Sequence, residues 1–98
     1  PLCRNPNILA LYDPPPGPGE PLALVTCYGD DALAVVARGP FARVATVPVG
    51  DGPNEMVVDP ARRRLYVIET LGASISVVDL DARAPTYLTV LARVVSPS

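Results

Sequence analysis

The sequence predicts an all-β fold built from two repeats of four antiparallel strands. Thirteen prolines are spread through the 98 residues, and no long stretch keeps the 3.6-residue period of a helix. The apolar runs are instead short and rich in Val, Ile, Leu, Tyr and Thr. Clusters of Gly, Pro, Asp or Asn separate them, as expected for strands joined by turns.

In the first half of the chain, the apolar runs predict strands near residues 7–13, 22–28, 33–37 and 43–49. The first two strands are separated by a proline-rich stretch, residues 14–21. We expect this stretch to form a stiff, polyproline-like loop, with docking of a partner domain as the alternative.

In the second half, the same criteria predict strands near residues 55–59, 64–70, 74–79 and 86–92. Each half therefore contributes four strands. We expect two structural units of similar size, residues 1–50 and 51–98.

The two halves also resemble each other in sequence, and internal similarity is the mark of a repeat architecture. Four matches support the repeat: Leu33–Val36 with Ile75–Val78 at an offset of 42, Leu22–Val25 with Leu65–Ile68 at 43, Thr46-Val47 with Thr89-Val90 at 43, and Pro6-Asn7 with Pro53-Asn54 at 47. The proline-rich stretch explains the larger offset of the last match.

The apolar runs "LALV", "LAVVA" and "LYVI" are continuous, so side chains on both faces of each strand are expected to avoid water. Four antiparallel strands, repeated every 42 to 47 residues with both faces apolar, are typical of β-propeller blades pressed between neighbours. We therefore expect two blades of a larger ring, residues 1–50 and 51–98. The main alternative is an eight-stranded sandwich, which needs no internal repeat.

The stretch "PVGDGPNEMVVDPARRRLYVIETLGASISVVDLD", residues 48–81, resembles the YVTN repeat of bacterial β-propellers. The matching positions are Gly50, Pro53, Asp59, Pro60, Leu65, Tyr66, Val67, Val78 and Asp79. Ile68-Glu69 stands where the repeat usually has Thr-Asn, and the first half matches more weakly. The resemblance implies the propeller fold and little about activity, because propellers serve many functions.

The composition restricts the chemistry that this chain can perform alone. Hydrophobic residues make up 49% of the chain and charged residues 18%, which is very apolar for a domain of this size, so some apolar area is expected to meet other protein. All eight basic residues are Arg, and the net charge is -2, so nucleic acid is not an expected partner. The absence of His and Lys removes the usual bases that activate a Ser nucleophile.

The arginine triplet Arg62-Arg63-Arg64 falls in the predicted connection between the first two strands of the second unit. We expect a solvated turn, because an anion site would need more basic residues brought together. An anion site is the alternative interpretation.

Propeller topology would place the connections from strand two to three, and from strand four to the next strand one, on a single rim. The resemblance implies that this is the rim where propellers usually bind ligands. It would carry five acidic residues, opposed only by Arg4: Asp30, Asp31, Asp51, Glu55 and Glu69. We expect ordinary turn chemistry here, because Gly-Asp-Asp and Gly-Asp-Gly favour tight turns. A site for a cation or a basic partner, formed by these carboxylates, is the alternative.

The two cysteines have no spacing typical of a zinc site. Cys3 precedes the first predicted strand and Cys27 ends the second, so an antiparallel pairing would bring them to the same end of the sheet. They are candidates for a disulfide, which would imply a periplasmic or extracellular location. Two buried free thiols are the alternative.

Three functional hypotheses follow from the sequence. The first is a non-catalytic propeller segment acting as a protein-interaction or structural scaffold, completed by other chains or missing blades. The second is a piece of a propeller-based oxidoreductase or lactonase whose catalytic or cofactor residues lie elsewhere. The third is a homo-oligomer in which two-blade chains build a six- or eight-bladed ring. We expect no catalytic residues, cofactor or metal site within this chain.

No apolar run approaches the roughly 20 residues that span a bilayer, so a membrane span is not expected. The chain opens on Pro1, which suggests a processed or excerpted start. The expected partners are therefore other propeller blades or protein chains.

Overall fold

The computed structural model describes residues 2–97. It contains eight strands: β1 (Pro6–Tyr12), β2 (Leu22–Cys27), β3 (Ala32–Ala37), β4 (Ala42–Pro48), β5 (Pro53–Asp59), β6 (Arg64–Glu69), β7 (Ser74–Asp79) and β8 (Val90–Val95). A short 3-10 turn, Tyr28–Asp30, joins β2 to β3. The strands form two four-stranded antiparallel sheets, β1-β2-β3-β4 and β5-β6-β7-β8. The predicted all-β fold with four antiparallel strands per repeat is confirmed.

Seven strands begin and end within two residues of the predicted bounds, but the last one is displaced. Residues 86–92 were expected to form it, whereas β8 runs from Val90 to Val95. The Asp79 carboxylate accounts for the difference, because it accepts hydrogen bonds from the Asp81 N–H at 2.8 Å and from the Thr86 hydroxyl at 2.5 Å. These bonds hold the chain before β8 in a series of turns.

The strand pairing corrects two of the repeat offsets. Cys27 pairs with Pro6 and Ala32, as Glu69 pairs with Pro53 and Ser74. Equivalent residues of β2 and β6 are therefore 42 positions apart in the sequence, not 43 as expected. By the same criterion β4 and β8 differ by 47, since Pro48 pairs with Ala32 as Val95 pairs with Ser74.

Irregularities in the strand pairing recur at the same places in both sheets. The register shifts between Pro6 and Ile8 in the first sheet and at the equivalent Pro53 and Glu55 in the second. A second shift follows Val35 in the first sheet and the equivalent Val77 in the second. A bulge changes the twist of a sheet, so matching bulges give the two sheets similar shapes.

The core lies between the sheets, and each sheet contributes one face to it. The first sheet contributes Tyr12, Leu22, Leu24, Leu33, Val35 and Val47, and the second contributes Met56, Leu65, Val67, Val78 and Leu80. The two backbones come closest where β1 and β2 face β5. Burial of these side chains is the main favourable contribution to folding.

Different faces of the two equivalent sheets meet in the core. The positions equivalent to buried Leu24 and Leu33 are Tyr66 and Ile75, which lie on the side of the second sheet that points away from the core. The positions equivalent to buried Met56 and Val67 are Leu9 and Val25, which point away from the core in the first sheet. The sheets therefore stack head to tail, as repeats in a row do, rather than by a two-fold axis.

No helix among the described residues is long and apolar enough to cross a membrane.

Candidate functional site

Three connections, residues 28–31, 49–52 and 70–73, meet at one edge of the two sheets. We call this edge, together with the adjoining strand residues Glu55 and Glu69, the acidic rim. Backbone hydrogen bonds join the three connections, from the Val49 N–H to the Asp31 carbonyl and from the Gly72 N–H to the Asp51 carbonyl, each at 3.0 Å. The structure thus brings together the loops in which most of the acidic residues were predicted to lie.

Asp30 on the acidic rim is paired with the single arginine expected near it. The Arg4 Nε donates to one oxygen of the carboxylate at 2.7 Å, and the Arg4 backbone N–H donates to the other at 2.8 Å. The backbone N–H and then the guanidinium of Arg4 hold the pKa of Asp30 below its usual value. Its charge is therefore locally compensated.

Two of the other exposed carboxylates of the acidic rim, those of Asp31 and Glu55, accept hydrogen bonds from backbone N–H groups. Asp31 has a left-handed backbone, with φ of 50°, and its Oδ1 accepts a hydrogen bond from the Gly52 N–H at 3.0 Å. Glu55 accepts one from the N–H of the next residue, Met56, at 3.1 Å. Asp51 is exposed beside these loops. Asp31 thus has the backbone conformation and contact expected of turn chemistry, whereas the hydrogen bond of Glu55 is to its neighbour within β5.

Glu69 differs from the exposed rim site that was expected, because its side chain is fully buried. Its Oε1 accepts a hydrogen bond from the Ser74 hydroxyl at 2.6 Å, and a Cβ at Gly50 would lie 2.5 Å from the same oxygen. Its Oε2 has no hydrogen-bond partner among the described residues. Glu69 lies at the end of β6 on the core-facing side, and strand alternation places it there with Leu65 and Val67.

The acidic rim does not assemble a metal centre within residues 2–97. No group of three or more His, Cys, Asp or Glu side chains there could hold an ion. The rim is therefore a mildly acidic edge, on which the side chains of Asp31, Asp51 and Glu55 reach solvent.

The arginines at the opposite edge are likewise distributed among separate ion pairs. Arg62 contacts Asp59 at 3.1 Å across the β5–β6 turn, and Arg83 contacts Asp81 at 2.9 Å. The middle arginine of the triplet, Arg63, has a left-handed backbone, and its carbonyl accepts a hydrogen bond from the Leu80 N–H. The triplet thus forms a turn and the start of β6.

Cys3 and Cys27 are joined as a disulfide, with their Cα atoms 5.9 Å apart. It ties the segment before β1 to the end of β2. The neighbouring Leu2 carbonyl accepts a hydrogen bond from the Arg43 guanidinium at 2.7 Å. The start of the chain therefore lies against the side of the first sheet that points away from the core.

That side of the first sheet, which we call the A face, is an open apolar surface. It is built by Leu9, Leu11, Ala23, Val25 and Val36, and a depression of about 580 Å³ lies on it, edged by Leu2, Arg38, Phe41 and Arg43. Leu9 is 63% exposed and Phe41 83% exposed. An exposed apolar surface of this kind usually marks an interaction site.

The second sheet has a matching open surface, which we call the B face. It consists of Val57, Tyr66, Ile68, Ile75, Val77 and Val94. A depression of about 390 Å³ lies at one end of it, lined in part by Ile68, Ile75 and Val94. The continuous apolar runs predicted burial on both sides of the strands. Which residues form each face is shown only by the register of the strand pairing.

The site therefore consists of two apolar sheet faces on opposite sides of the molecule, with an acidic rim between them. Comparison with protein-family models and with curated proteins gives no match for this chain.

Proposed function

We propose that this chain is a non-catalytic segment of a β-propeller of the YVTN-repeat kind, which acts as a protein-interaction or structural scaffold. Its A and B faces are the docking surfaces. Each takes a further four-stranded sheet, from another chain or from another part of the same polypeptide.

The head-to-tail packing of the two sheets is the observation that carries this proposal. The A face is equivalent to the face of the second sheet that is buried in the core, and the B face is equivalent to the buried face of the first. A contact of this type buries one face of each sheet and leaves the other face open. Further sheets can therefore be added in the same way until a ring closes. Propellers are rings of four to eight such sheets.

The chemistry of the two faces also supports docking of further sheets. Ile75 is 40% exposed, yet its equivalent in the first sheet, Leu33, is completely buried. Leu9 is 63% exposed, whereas its equivalent, Met56, is 8% exposed. Complete burial of a fully exposed aliphatic side chain contributes about 1.5 to 3 kcal/mol, so covering these partly exposed side chains would contribute part of that amount. The open faces thus have the composition of an interior.

The disulfide supports a periplasmic or extracellular location for the scaffold, because disulfides persist in oxidising compartments. Thiol quantification on the denatured, non-reduced protein should find no free thiol. Closing a loop with a sequence separation of 24 stabilises a chain by about 3 kcal/mol. Two free thiols would contradict the pairing and remove this support.

Native mass spectrometry combined with binding of the dye ANS tests the docking surfaces. We expect either an assembly that does not bind the dye, or a monomer that binds it. In a monomer, Leu9→Ser and Ile75→Ser should reduce dye binding, whereas Leu71→Ser, at a rim residue that is 61% exposed, should not. A dispersed monomer that does not bind ANS would contradict the proposal.

A further inference from the structure

We infer that the partner of each open face is a second copy of this chain, bound head to tail, with the B face of one copy on the A face of the next. This inference rests on the proposed function, and it identifies the partner of the docking surfaces.

The contact between the two sheets of one chain is a template for the contact between copies. Inside the chain, Leu24, Leu33, Val35 and Val47 of the first sheet pack in one core with Met56, Leu65, Val67 and Val78 of the second. The equivalent residues across a contact between copies are Tyr66, Ile75, Val77 and Val94 on the B face, and Leu9, Ala23, Val25 and Val36 on the A face. All eight are apolar or aromatic, so the centre of the template can be reproduced without burying a charge. Three other core residues, Tyr12, Leu22 and Leu80, have charged equivalents. These equivalents, Asp59, Arg64 and Arg38, fall at one edge of the contact.

Residues of opposite charge meet across the edge of this contact. Tyr12 and Leu80 belong to the core and line the same small cavity between the two sheets. Tyr12 pairs with Leu22 as Asp59 pairs with Arg64, so Asp59 is the equivalent of Tyr12. Leu80 directly follows β7 as Arg38 directly follows β3, so Arg38 is the equivalent of Leu80. A contact between copies would therefore place Asp59 of one copy beside Arg38 of the next.

The start of the chain is compatible with this contact. The Asn5 carbonyl accepts a hydrogen bond from Tyr28, as the Gly52 carbonyl accepts one from Thr70, and Asn5 and Gly52 both have positive φ. Leu2 is thus the equivalent of Val49, which is buried in the core. Leu2 should become part of the contact rather than block it.

A mixing experiment with two blocked variants tests the inference. Leu9→Asp blocks the A face and Ile75→Asp blocks the B face, while Leu71→Asp adds the same charge on the rim. By native mass spectrometry, the wild type and Leu71→Asp should form the same assembly, a multiple of the 10.3 kDa chain. Each blocked variant alone should be monomeric. A mixture of the two should form one-to-one heterodimers and nothing larger, because only one open A face and one open B face remain.

Circular dichroism should show that every variant is folded. If an Asp variant is not, Leu9→Thr and Ile75→Thr take its place, since Thr favours strands. Homodimers of either blocked variant, or a mixture that stays monomeric, would overturn the head-to-tail contact. A wild-type monomer that binds ANS would overturn the second copy as the partner but leave the proposed function intact. A wild-type monomer that does not bind ANS would overturn both.

Discussion

Gly50 lies against the buried carboxyl group of Glu69, at the place where the first sheet has its disulfide. A Cβ at Gly50 would lie 2.5 Å from Glu69 Oε1 and 2.9 Å from the Ser74 hydroxyl. Glu69 is the equivalent of Cys27, since each ends the second strand of its sheet. The segment before a sheet and the second strand of that sheet are therefore joined covalently in the first sheet and only packed closely together in the second.

Gly50→Ala should destabilise the protein, because the added methyl group would displace the Glu69 carboxylate or the Ser74 hydroxyl. Overpacking of this kind costs about 1 to 3 kcal/mol. Gly39→Ala is the matched control, because a Cβ there has nothing within 4 Å. Thermal unfolding followed by circular dichroism should show a lower Tm for Gly50→Ala and almost no change for Gly39→Ala. Equal Tm values would show that the Glu69 carboxyl is free to move aside.

Asp31 links two connections of the acidic rim, residues 28–31 and residues 49–52, through its bond to the Gly52 N–H. Asp31→Ala should lower stability by about 1 to 2 kcal/mol, because it removes this acceptor and places Ala in a left-handed conformation. Asp31→Asn should stay near the wild type, since Asn keeps a carbonyl oxygen and tolerates that conformation. Urea titrations would measure both. An Asn variant as unstable as the Ala variant would assign the effect to the negative charge instead.

The strands were predictable from sequence because short apolar runs and turn residues are local signals. The register in which the strands pair was not predictable in this way. The sequences of Leu22–Val25 and Leu65–Ile68 are similar at an offset of 43. The strand pairing of Cys27 and Glu69 shows that structurally equivalent residues are instead 42 positions apart. A shift of one residue moves every side chain to the other face of the strand. The sequence therefore indicated that both faces are apolar without showing which residues lie on each.

The candidate site was predictable only in part, for a related reason. The rim loops and their acidic residues follow from the order of the strands. Alternation along β6 gives the face on which Glu69 lies, but its carboxyl group also contacts Ser74 across a turn and lies against Gly50, which is distant in the sequence. The displaced β8 also depends on side-chain contacts, because the Asp79 carboxylate organises the preceding turns. Contacts of this kind leave no periodic signal in the sequence.

Asp81 should titrate at unusually low pH. Hydrogen bonds from the Arg83 side chain, and then from its backbone N–H, lower the pKa of Asp81 to about 2. Because the pKa is lower in the folded protein, the pair contributes to stability above the ordinary carboxyl pKa, and this contribution is lost as the pH falls towards about 2. Arg83→Ala should raise the pKa of Asp81 part of the way back, because the backbone N–H remains.

Carboxyl carbon shifts in an NMR titration would measure the pKa of Asp81 in both proteins. Arg62→Ala is the control, because Arg62 acts on Asp59, whose pKa it lowers in the same way. An Asp81 pKa that does not change in Arg83→Ala would contradict the assigned cause.

The pairing of Asp59 with Arg38 of a neighbouring copy can be tested by charge reversal. Each residue has a partner in its own chain, since Arg38 contacts Asp13 at 2.9 Å and Asp59 contacts Arg62 at 3.1 Å. Both also lie at the edges of the open faces, so a second copy would bring them together. Like charges at such an edge weaken association, and about 1.4 kcal/mol corresponds to a tenfold change in affinity.

Arg38→Asp and Asp59→Arg should therefore each weaken the assembly by about tenfold, as measured by sedimentation over a range of concentrations. The double variant should recover most of the wild-type affinity, because it restores opposite charges across the contact. Arg83→Asp reverses a charge of another exposed pair on the same edge and should leave the assembly unchanged. Two single reversals whose effects simply add in the double variant would mean that the residues act separately and do not meet.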